Sequence, residues 1–548
     1  MHSPLPVHLL CFAIASHLLI FKRFAVLDFG LAVILLVGLP GVFLAGASKL
    51  GVLELGLRVV FECYIQYYSF LALSIISYRL SPFHRLHSFP GPLICRVTNL
   101  WIAYIAFTGR HHQYLSELHR KYGDFVRVGP EELSIGTVDG IVDVLGIGGL
   151  PKGKFYDSIK NKEGPKSLNV LPPEEHAKRR RLWNRGMNSE SLTEYEIMIT
   201  RRATQLMERL SKDDGPINII KWLDYFSFDF VGDMAFGGGF ELLEAGCDKE
   251  GIVQIMEIFM VAGFTIAHVP WLGQAIGYIP FTSGPMQKLR DFGTRIATAR
   301  VEEGSSKKDL WYHLTDEAGL EKEKPLKEEA VSDGTLAINA GADTTARAIA
   351  FLLFLLLDDP IHMVRVRAEI NSVFIKGENV LNTSKYTSLT YLEACINETL
   401  RLYPPVPTNG TRKVQEGSGG RVVAGRFIPE GTEILIAPYV LHRNPKYFAP
   451  HTDDFWPDRW LVSTSTTGVI GEEKVLNMNA FIPFSYGPQN CAGRNLARLE
   501  IRMIICLLLS QFEVSLAENF DKAAWLDSFC DYFVMRATKP LDVVLKKL

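Results

Sequence analysis

The chain has 548 residues and a formal net charge of −2, with 58 lysines and arginines against 60 aspartates and glutamates. This length supports a large core and exceeds one average domain, and the near-neutral charge excludes a nucleic-acid-binding surface over the whole chain. The 8 cysteines lie far apart without a CxxC pair. Their spacing argues against a disulfide framework or a zinc site and favours a reducing compartment.

Residues 1–80 are predicted to form a hydrophobic membrane anchor with one to three spans. Apolar stretches cover about 5–21, 24–47 and 52–78, and the second is long enough to cross a bilayer. The first is marginal in length, and the third contains three charged residues, which fit an interfacial position as well as a span. No basic segment precedes the first stretch, which disfavours a cleavable signal peptide.

Basic residues flank the anchor at two places. Lys22 and Arg23 follow the first apolar stretch, and Arg79 and Arg85 follow the third. Both pairs are candidate cytoplasmic flanks, because lysine and arginine are enriched on that side of a membrane. Residues 81–92 then form a predicted hinge, since the two prolines around its glycine stiffen the chain.

Beyond the hinge, residues 93–548 are predicted to form one large domain that is mainly helical with small β-sheets. Apolar residues recur with helical periodicity over most of this region. The long predicted helices are 112–121, 192–211, 328–357, 360–374, 389–403 and 495–512. The predicted strands are 122–128, 132–135, 422–428 and 433–437, each beside turn residues.

Cys491 is the residue that points most directly to chemistry. It ends a loop rich in glycine and proline, residues 483–491, and precedes an apolar helix predicted from about 492. Backbone N–H groups at a helix start attract an anion and lower the pKa of a thiol. Such a thiolate can bind haem iron, and Gly487 and Gly493 let the backbone approach a flat ligand closely. Alternatively, Cys491 is an inert cysteine of the core.

A second motif, Ala-Gly-Ala-Asp-Thr-Thr at residues 340–345, lies in the middle of a predicted apolar helix. Its small residues leave a groove for a ligand. Asp343 and Thr344 are costly inside a hydrophobic segment unless they are paired or hydrated. One interpretation is a proton relay. The other is a helix distortion in which each hydroxyl bonds the carbonyl one turn back.

A third motif is Glu398-Thr-Leu-Arg401. Glutamate and arginine three positions apart share one face of a helix. An exposed pair of this kind contributes little, but the apolar residues around it predict burial. A buried pair needs further partners to offset its desolvation, and Arg459 is the candidate partner.

In this order and spacing, the motifs resemble the cytochrome P450 family, over roughly residues 89 to 548. Residues 340–345 are similar to the oxygen-activation helix of that family, and the hinge is similar to the segment after its membrane anchor. The haem-binding signature is matched at Phe484, Gly487, Cys491 and Gly493. The Glu-x-x-Arg motif and the arginine that completes its triad are matched at Glu398, Arg401 and Arg459.

The resemblance implies the cytochrome P450 fold behind a transmembrane anchor, and it implies haem b (iron protoporphyrin IX) with Cys491 as the axial ligand of the iron. Asp343 and Thr344 would steer protons to bound dioxygen. The triad would be structural, holding the core on the cysteine side of the haem.

Two departures from the family concern the haem carboxylates. Gln489 stands where the family has arginine or histidine, and His176 stands where it has tryptophan, whereas Arg180 and Arg412 match. An amide brings no charge, so its contact with a carboxylate is weaker. We therefore expect His176, Arg180 and Arg412 to compensate for Gln489.

By the same resemblance, the residues expected over the haem, against the substrate, are Ile338, Ala342, Val406, Thr408 and Phe533. Arg179 and Arg181, beside Arg180, form either a solvated basic face or a docking patch for an acidic electron donor.

The expected function is oxidation of a lipophilic small molecule by O2, a haem-thiolate monooxygenase reaction. Electrons would come from NADPH through a separate, membrane-bound NADPH–cytochrome P450 reductase. The hydrophobic N-terminus is similar to that of fungal microsomal members, which implies the endoplasmic reticulum, a domain facing the cytosol, and secondary metabolism. The alternatives are an isomerase or dehydratase of the same fold, and a non-catalytic haem-binding membrane protein.

Overall fold

The computed structural model describes residues 5–23, 29–54, 56–158, 164–212, 215–238, 240–277, 284–304, 308–375, 377–461 and 475–548. Three long helices come first, at Leu5–Ser16, continued by a π-turn at His17–Phe21, then Phe29–Lys49 and Leu57–Leu80. Residues 24–28, the start of the second predicted apolar stretch, lie outside the described residues.

Helices make up most of the remaining chain. In its first half they are Leu93–Val97, Leu100–Phe107, His111–Tyr122, Val138–Leu145, Lys154–Ser158, Pro173–Gly186, Ser189–Leu210, Ile219–Phe236, Leu242–Ala245, Ile252–Ala267 and Pro270–Gly277. In its second half they are Gly284–Glu303, Leu310–Leu314, Lys327–Asp358, Pro360–Val373, Thr390–Leu402, Pro438–His442, Arg494–Gln511 and Lys522–Asp527. The mainly helical fold class predicted from the sequence is confirmed.

The strands form small sheets at the edge of the helical body. A four-stranded sheet has the order Phe125–Gly129, Glu132–Ile135, Glu433–Leu435 and Arg412–Lys413. A three-stranded sheet has the order Phe512–Leu516, Asp542–Lys547 and Pro216–Asn218. The paired strands are Arg421–Val423 with Arg426–Ile428, Phe448–Ala449 with Val475–Leu476, and Phe529–Tyr532 with Val534–Ala537.

The structure corrects two predicted strands. The predicted strand 422–428 is a hairpin, because Ala424 and Gly425 both have positive φ, at 46° and 74°, and so reverse the chain between two short strands. The strand predicted from Tyr122 begins at Phe125 instead, since Tyr122 still belongs to the preceding helix.

The Lys327–Asp358 helix, here called the central helix, is the core of the domain. Its apolar window has the hydropathy of a membrane span but is 78% buried inside the protein. It packs along Ile219–Phe236 and also against Arg494–Gln511, the helix after Cys491. Asp359 ends it and caps the next helix, accepting a hydrogen bond from the Ile361 N–H at 3.0 Å, so the chain turns there.

The three N-terminal helices form a bundle of their own. Their mutual core contains Leu9, Leu44, Tyr67 and Leu71. Only 11% and 17% of the apolar windows of Phe29–Lys49 and Leu57–Leu80 are buried. Both helices therefore leave most of their apolar surface for a nonpolar solvent such as lipid.

A buried arginine ties this bundle to the domain. The Arg127 side chain is 0% exposed. It donates to the carbonyl of Pro130 at 2.8 Å and to that of Arg79, in the last turn of the third helix, at 3.3 Å. The backbone N–H of Arg127 also donates to Pro90 of the hinge at 2.7 Å, so the hinge is fixed against the sheet.

The Glu-x-x-Arg pair lies in a fully buried ionic cluster. Glu398, Arg401 and Arg459 are each 0% exposed. The Glu398 carboxylate accepts hydrogen bonds from Arg401 at 2.8 and 2.9 Å and from Arg459 at 2.9 Å. The Trp456 backbone N–H and the Trp460 indole donate to it at 3.0 and 2.9 Å, so its lone pairs are well satisfied.

Replacing Glu398 by glutamine should leave two buried guanidinium groups without a counter-charge. We expect Glu398→Gln to lower the free energy of unfolding by about 3–5 kcal/mol, measured by urea unfolding of detergent-solubilised protein. The control is Asp458→Asn, which breaks a pair with Arg365 whose side chains are 35% and 41% exposed; its cost should be about 1 kcal/mol or less. Equal losses in both variants would contradict a dominant role for the cluster.

Candidate active site

The loop before Cys491 has a shape that needs glycine at one position. Gly487 has φ of +71°, and a Cβ there would lie 2.1 Å from the Leu145 carbonyl oxygen, so any side chain would clash. The Cys491 backbone N–H donates to the Phe484 carbonyl at 2.9 Å. A Cβ at Gly493 would meet nothing within 4 Å. The loop is therefore folded tightly on one side and open beside the cysteine.

The Cys491 side chain has solvent-accessible surface. It nevertheless lies in a depression, with protein atoms packed around it. Burial raises the pKa of its thiol, against the opposing effects of the Gly493 backbone N–H and two nearby arginines. The Gly493 N–H, at the N-cap of the helix that begins at Arg494, lowers the pKa as predicted, but the effect of burial is larger and the net shift is upward.

The central helix exposes a narrow face at the second motif. Ala340 is exposed, and Gly341 and Thr344 are half-buried, although nearly all residues around them are buried. The Thr344 hydroxyl donates to the Ala340 carbonyl at 2.7 Å, as the helix-distortion interpretation predicted. Its oxygen lone pairs are still able to accept a hydrogen bond, so this contact does not exclude the relay interpretation.

Asp343 is buried and bound by two arginines. Arg347 donates to one carboxylate oxygen at 3.0 Å, and Arg536 donates to the other. Burial alone would raise the pKa of Asp343, but the charges of Arg536 and Arg347 hold it below its usual value. Asp343 is therefore ionised at neutral pH, and both of its oxygens are occupied.

Sequence reasoning did not identify the two arginines around Asp343. Arg347 could have been found, because it lies four residues after Asp343 on the same helical face. Arg536 lies 193 residues away in sequence and carries no local signal. It also pairs with Glu257 of the Ile252–Ala267 helix at 3.2 Å, so one side chain joins three elements.

The residues predicted to bind the haem carboxylates lie together beside the cysteine loop. Arg180 donates to the carbonyl and side-chain oxygens of Asn490, at 2.6 and 2.9 Å. Arg412 donates to the side-chain oxygen of Gln489. His176 is only 4% exposed, and burial lowers its pKa to about 4, helped by the nearby charges of Lys152, Arg180 and Arg412.

This cluster fits an anionic ligand. Burial lowers the pKa of Arg412, and its Nε has no hydrogen-bond partner. Within the described part of the chain, neither Arg412 nor Arg180 forms an ion pair with a carboxylate. A buried arginine without a counter-ion is costly. The carboxylates of haem would supply that counter-charge, so the residues present fit haem.

The sequence predicts a weak contact between the neutral Gln489 amide and a haem carboxylate, whereas in the structure the amide contacts Arg412. Its amide oxygen accepts a hydrogen bond from Arg412. A cation at position 489 would repel that guanidinium, whereas the amide orients it. The neighbouring Arg179 is neither a solvated residue nor a docking residue, because it is buried and pairs with Asp333 at 3.2 Å and with Glu329 at 2.5 Å.

The predicted substrate residues differ in accessibility. Val406 and Phe533 are half-buried, and Ile338 is 5% exposed. Ala342 and Thr408 are 0% exposed, so they present no surface to a ligand in this structure. Ala342 points away from the face of Ala340 and Thr344 because it lies half a turn further round the helix, and the Thr408 hydroxyl donates to Asp531 at 3.0 Å.

Comparison with known proteins agrees with this geometry. The family model described as cytochrome P450 matches residues 88–541. The chain is 32% identical over 486 residues to "Cytochrome P450 67" of Uromyces fabae, covering 86% of this chain and 88% of that protein. It is 30% identical to "Cytochrome P450 monooxygenase nodW" of Hypoxylon pulicicidum, over 83% of this chain and 81% of that protein.

A third relative is "Cytochrome P450 monooxygenase AKT7" of Alternaria alternata, with 32% identity over 81% of this chain and 87% of that protein. All these alignments span most of both chains, and the family match includes every motif described above. The chain belongs to the cytochrome P450 family of haem-dependent oxidoreductases.

Proposed function

We propose that this protein is a membrane-anchored haem-thiolate monooxygenase in which the Cys491 sulfur would hold the haem iron. The observation that carries the proposal is an accessible thiol in the same loop that two arginines contact, the buried Arg412 and the half-buried Arg180, neither of which pairs with a carboxylate within the described residues. Haem b in this family is held through a protein thiolate that binds its iron and through protein contacts with its own two carboxylates. The catalytic domain would comprise residues 93–548, after the hinge at 81–92.

The protein residues have separable tasks in this proposal. Cys491 would hold the iron as a thiolate, and a bound metal ion would offset the burial that raises the pKa of the free thiol. Arg180, Arg412 and His176 hold the haem carboxylates, with Gln489 orienting Arg412. Haem bound in this way supplies the activation of dioxygen and the oxidation of a C–H bond.

We assign proton delivery to the Thr344 hydroxyl and a supporting role to Asp343. Thr344 is the polar residue of the motif on the accessible face of the central helix. Asp343 is ionised and held by two arginines, so it has no proton to donate in this arrangement. Its contacts with Arg347 and Arg536 fix the central helix at this turn.

The anchor geometry supports a catalytic domain on the cytosolic side, with Phe29–Lys49 and Leu57–Leu80 long enough to span a bilayer and a shorter apolar helix before them. The Lys22 ammonium lies 4.0 Å from the Tyr78 ring centre, so the first and third helices end side by side. Lys22 and Arg79 therefore lie at the end of the bundle that joins the domain. By the positive-inside rule that end faces the cytosol, which agrees with an endoplasmic reticulum location.

A cytosolic domain of this kind receives its electrons from outside, because the sequence contains no flavin or nicotinamide motif. We propose NADPH–cytochrome P450 reductase as the donor. The substrate would be a lipophilic small molecule of secondary metabolism, in line with the fungal relatives named as monooxygenases.

The carbon monoxide difference spectrum of the reduced protein tests the proposal. The wild-type protein should show the red-shifted Soret band of a thiolate-ligated haem, and Cys491→Ala should lose it. The matched control is Cys247→Ala, since Cys247 is an exposed cysteine elsewhere on the chain. A Soret band that survives Cys491→Ala would overturn the proposal. With the reductase present, NADPH consumption coupled to product separates a monooxygenase from a non-catalytic haem protein.

The role of Thr344 can be tested by coupling efficiency. Thr344→Ala should divert most reducing equivalents to hydrogen peroxide, because the hydroxyl no longer delivers protons to bound dioxygen. We expect roughly a tenfold loss of product per NADPH, within the range for a positioned proton-transfer group. Thr335→Ala is the control, since Thr335 makes the same back-bond, to Val331 at 2.9 Å, two turns earlier. Unchanged coupling in Thr344→Ala would remove this residue from proton delivery.

Haem retention tests the arginine cluster. Arg412→Gln should weaken haem binding by roughly 10- to 100-fold, because one charge-assisted hydrogen bond of about 1.5–3 kcal/mol is lost. The measurement is haem transfer to excess apomyoglobin, followed by absorbance. Arg421→Gln, at an exposed position, should transfer haem at the wild-type rate. Equal rates in both variants would contradict a carboxylate contact at Arg412.

A further inference from the structure

Asp531 is a buried carboxylate that none of the roles described above uses. It is 0% exposed and lies on the C-terminal hairpin, formed by Phe529–Tyr532 and Val534–Ala537. Burial raises its pKa to about 7, against hydrogen bonds from Thr408 and from backbone N–H groups. A carboxylate in such a position needs a compensating function or fully satisfied oxygens.

The oxygens of Asp531 accept hydrogen bonds from its own hairpin and from two other segments of chain, those of Thr408 and of the His112 backbone. One oxygen accepts a hydrogen bond from the Thr408 hydroxyl at 3.0 Å. The other accepts the Phe533 backbone N–H, also at 3.0 Å. The segments that contain Thr408 and Phe533 are expected over the haem, and the Asp531 side chain fixes the distance between them. The Met535 N–H adds a contact to the Pro405 carbonyl at 2.8 Å.

Phe533 is held in a strained position. It is the single residue between the paired positions Tyr532 and Val534, and its φ of +72° is unusual for a residue with a side chain. Such strain persists only where the surroundings enforce it, and it clusters at ligand-contact sites. The hydrogen bond from the Phe533 N–H to Asp531 provides that enforcement.

The strain directs an aromatic ring toward partly open space. The Phe533 ring stacks on Phe155, with ring centres 5.1 Å apart and an angle of 24°. Phe264 lies 6.3 Å away and closes the same aromatic group. Phe155 and Phe264 are buried, whereas Phe533 is half-buried. Phe533 is therefore the member of the group that presents a face to a ligand, and that face is apolar.

Histidines close the polar side of the site. His111 is 2% exposed, and its Nδ1 lies 4.0 Å from a carboxylate oxygen of Asp531. Its ring centre is 4.9 Å from that of His268. Burial lowers the pKa of both imidazoles to about 3, so they are neutral and supply no counter-charge. Asp531 is thus held by hydrogen bonds and not by an ion pair.

We infer that Asp531 is a positioning residue for substrate specificity: it sets the separation of Val406 and Phe533, and so the shape of an apolar subsite that accepts an aromatic or alkyl portion of the substrate. Thr408 acts in this arrangement as a link to Asp531 and not as a substrate contact. The inference rests on the proposed function, because both segments lie over the haem only if Cys491 binds it.

Two azole ligands of the haem iron provide the test. Imidazole is small and reports the iron site alone, whereas 4-phenylimidazole carries an aromatic ring that reaches the walls of the pocket. Their dissociation constants are measured from the Soret shift of the wild-type protein and of Asp531→Ala, Asp531→Asn, Thr408→Val and Asp527→Asn. Asp527 is the control carboxylate, because its side chain is 79% exposed on the helix before the hairpin.

We expect Asp531→Ala to raise the dissociation constant of 4-phenylimidazole about tenfold, a loss of about 1.4 kcal/mol, while that of imidazole changes less than about twofold. Thr408→Val should also raise the dissociation constant of 4-phenylimidazole relative to that of imidazole. Asp531→Asn should remain near wild type, because its amide still accepts the Phe533 N–H and can donate to Thr408. Asp527→Asn should match wild type for both ligands.

Other outcomes overturn the inference. If Asp531→Ala and Thr408→Val weaken both azoles equally, or neither, Asp531 has only a general structural role. If Asp531→Ala does not fold, the ratio of the two dissociation constants in Thr408→Val and Asp531→Asn still tests the inference. The carbon monoxide spectrum is recorded for the wild type and every variant. Absence of the thiolate Soret band in the wild type would contradict the proposed function. A normal band with unchanged azole selectivity in the variants would contradict this inference alone.

Discussion

The fold around the site depends on one buried carboxylate. Glu398 accepts five hydrogen bonds, from Arg401, Arg459, Trp456 and Trp460. These join the Thr390–Leu402 helix to the loop at 456–460. Arg401 also donates to the carbonyls of three residues between 442 and 454. The ionic cluster is stable because each charge has several partners in a fully buried site, and losing any one partner leaves the others uncompensated.

A second constraint is positive charge without protein counter-charge. Arg412 and Arg180 converge beside the cysteine loop and donate to neutral oxygens of Gln489 and Asn490. Those contacts orient the guanidinium groups without neutralising them. The Glu398 cluster therefore contains a protein counter-charge, whereas within the described part of the chain no carboxylate pairs with Arg412 or Arg180, and an anionic cofactor would supply that charge. Burial also raises the pKa of the free Cys491 thiol. A bound metal ion would make the thiolate favourable there.

The C-terminal hairpin connects these parts to the pocket. Asp531 holds the segment of Thr408, Phe533 presents an aromatic face, and Arg536 binds both Asp343 and Glu257. One short element thus contacts the central helix, the segment after the Thr390–Leu402 helix and the Ile252–Ala267 helix. A substrate that displaces Phe533 would act on the same hairpin that carries the arginine beside Asp343.

The sequence by itself determined the helical class, the long helices to within a few residues and the family, because periodicity and short motifs are local properties of the chain. It also indicated His176, Arg180 and Arg412 as a group. It did not reveal Arg536 or Asp531, nor that Thr408 and Ala342 are closed off. Those facts depend on contacts between residues more than a hundred positions apart, and only tertiary packing decides which side of a helix meets a pocket and which distant charge pairs with which.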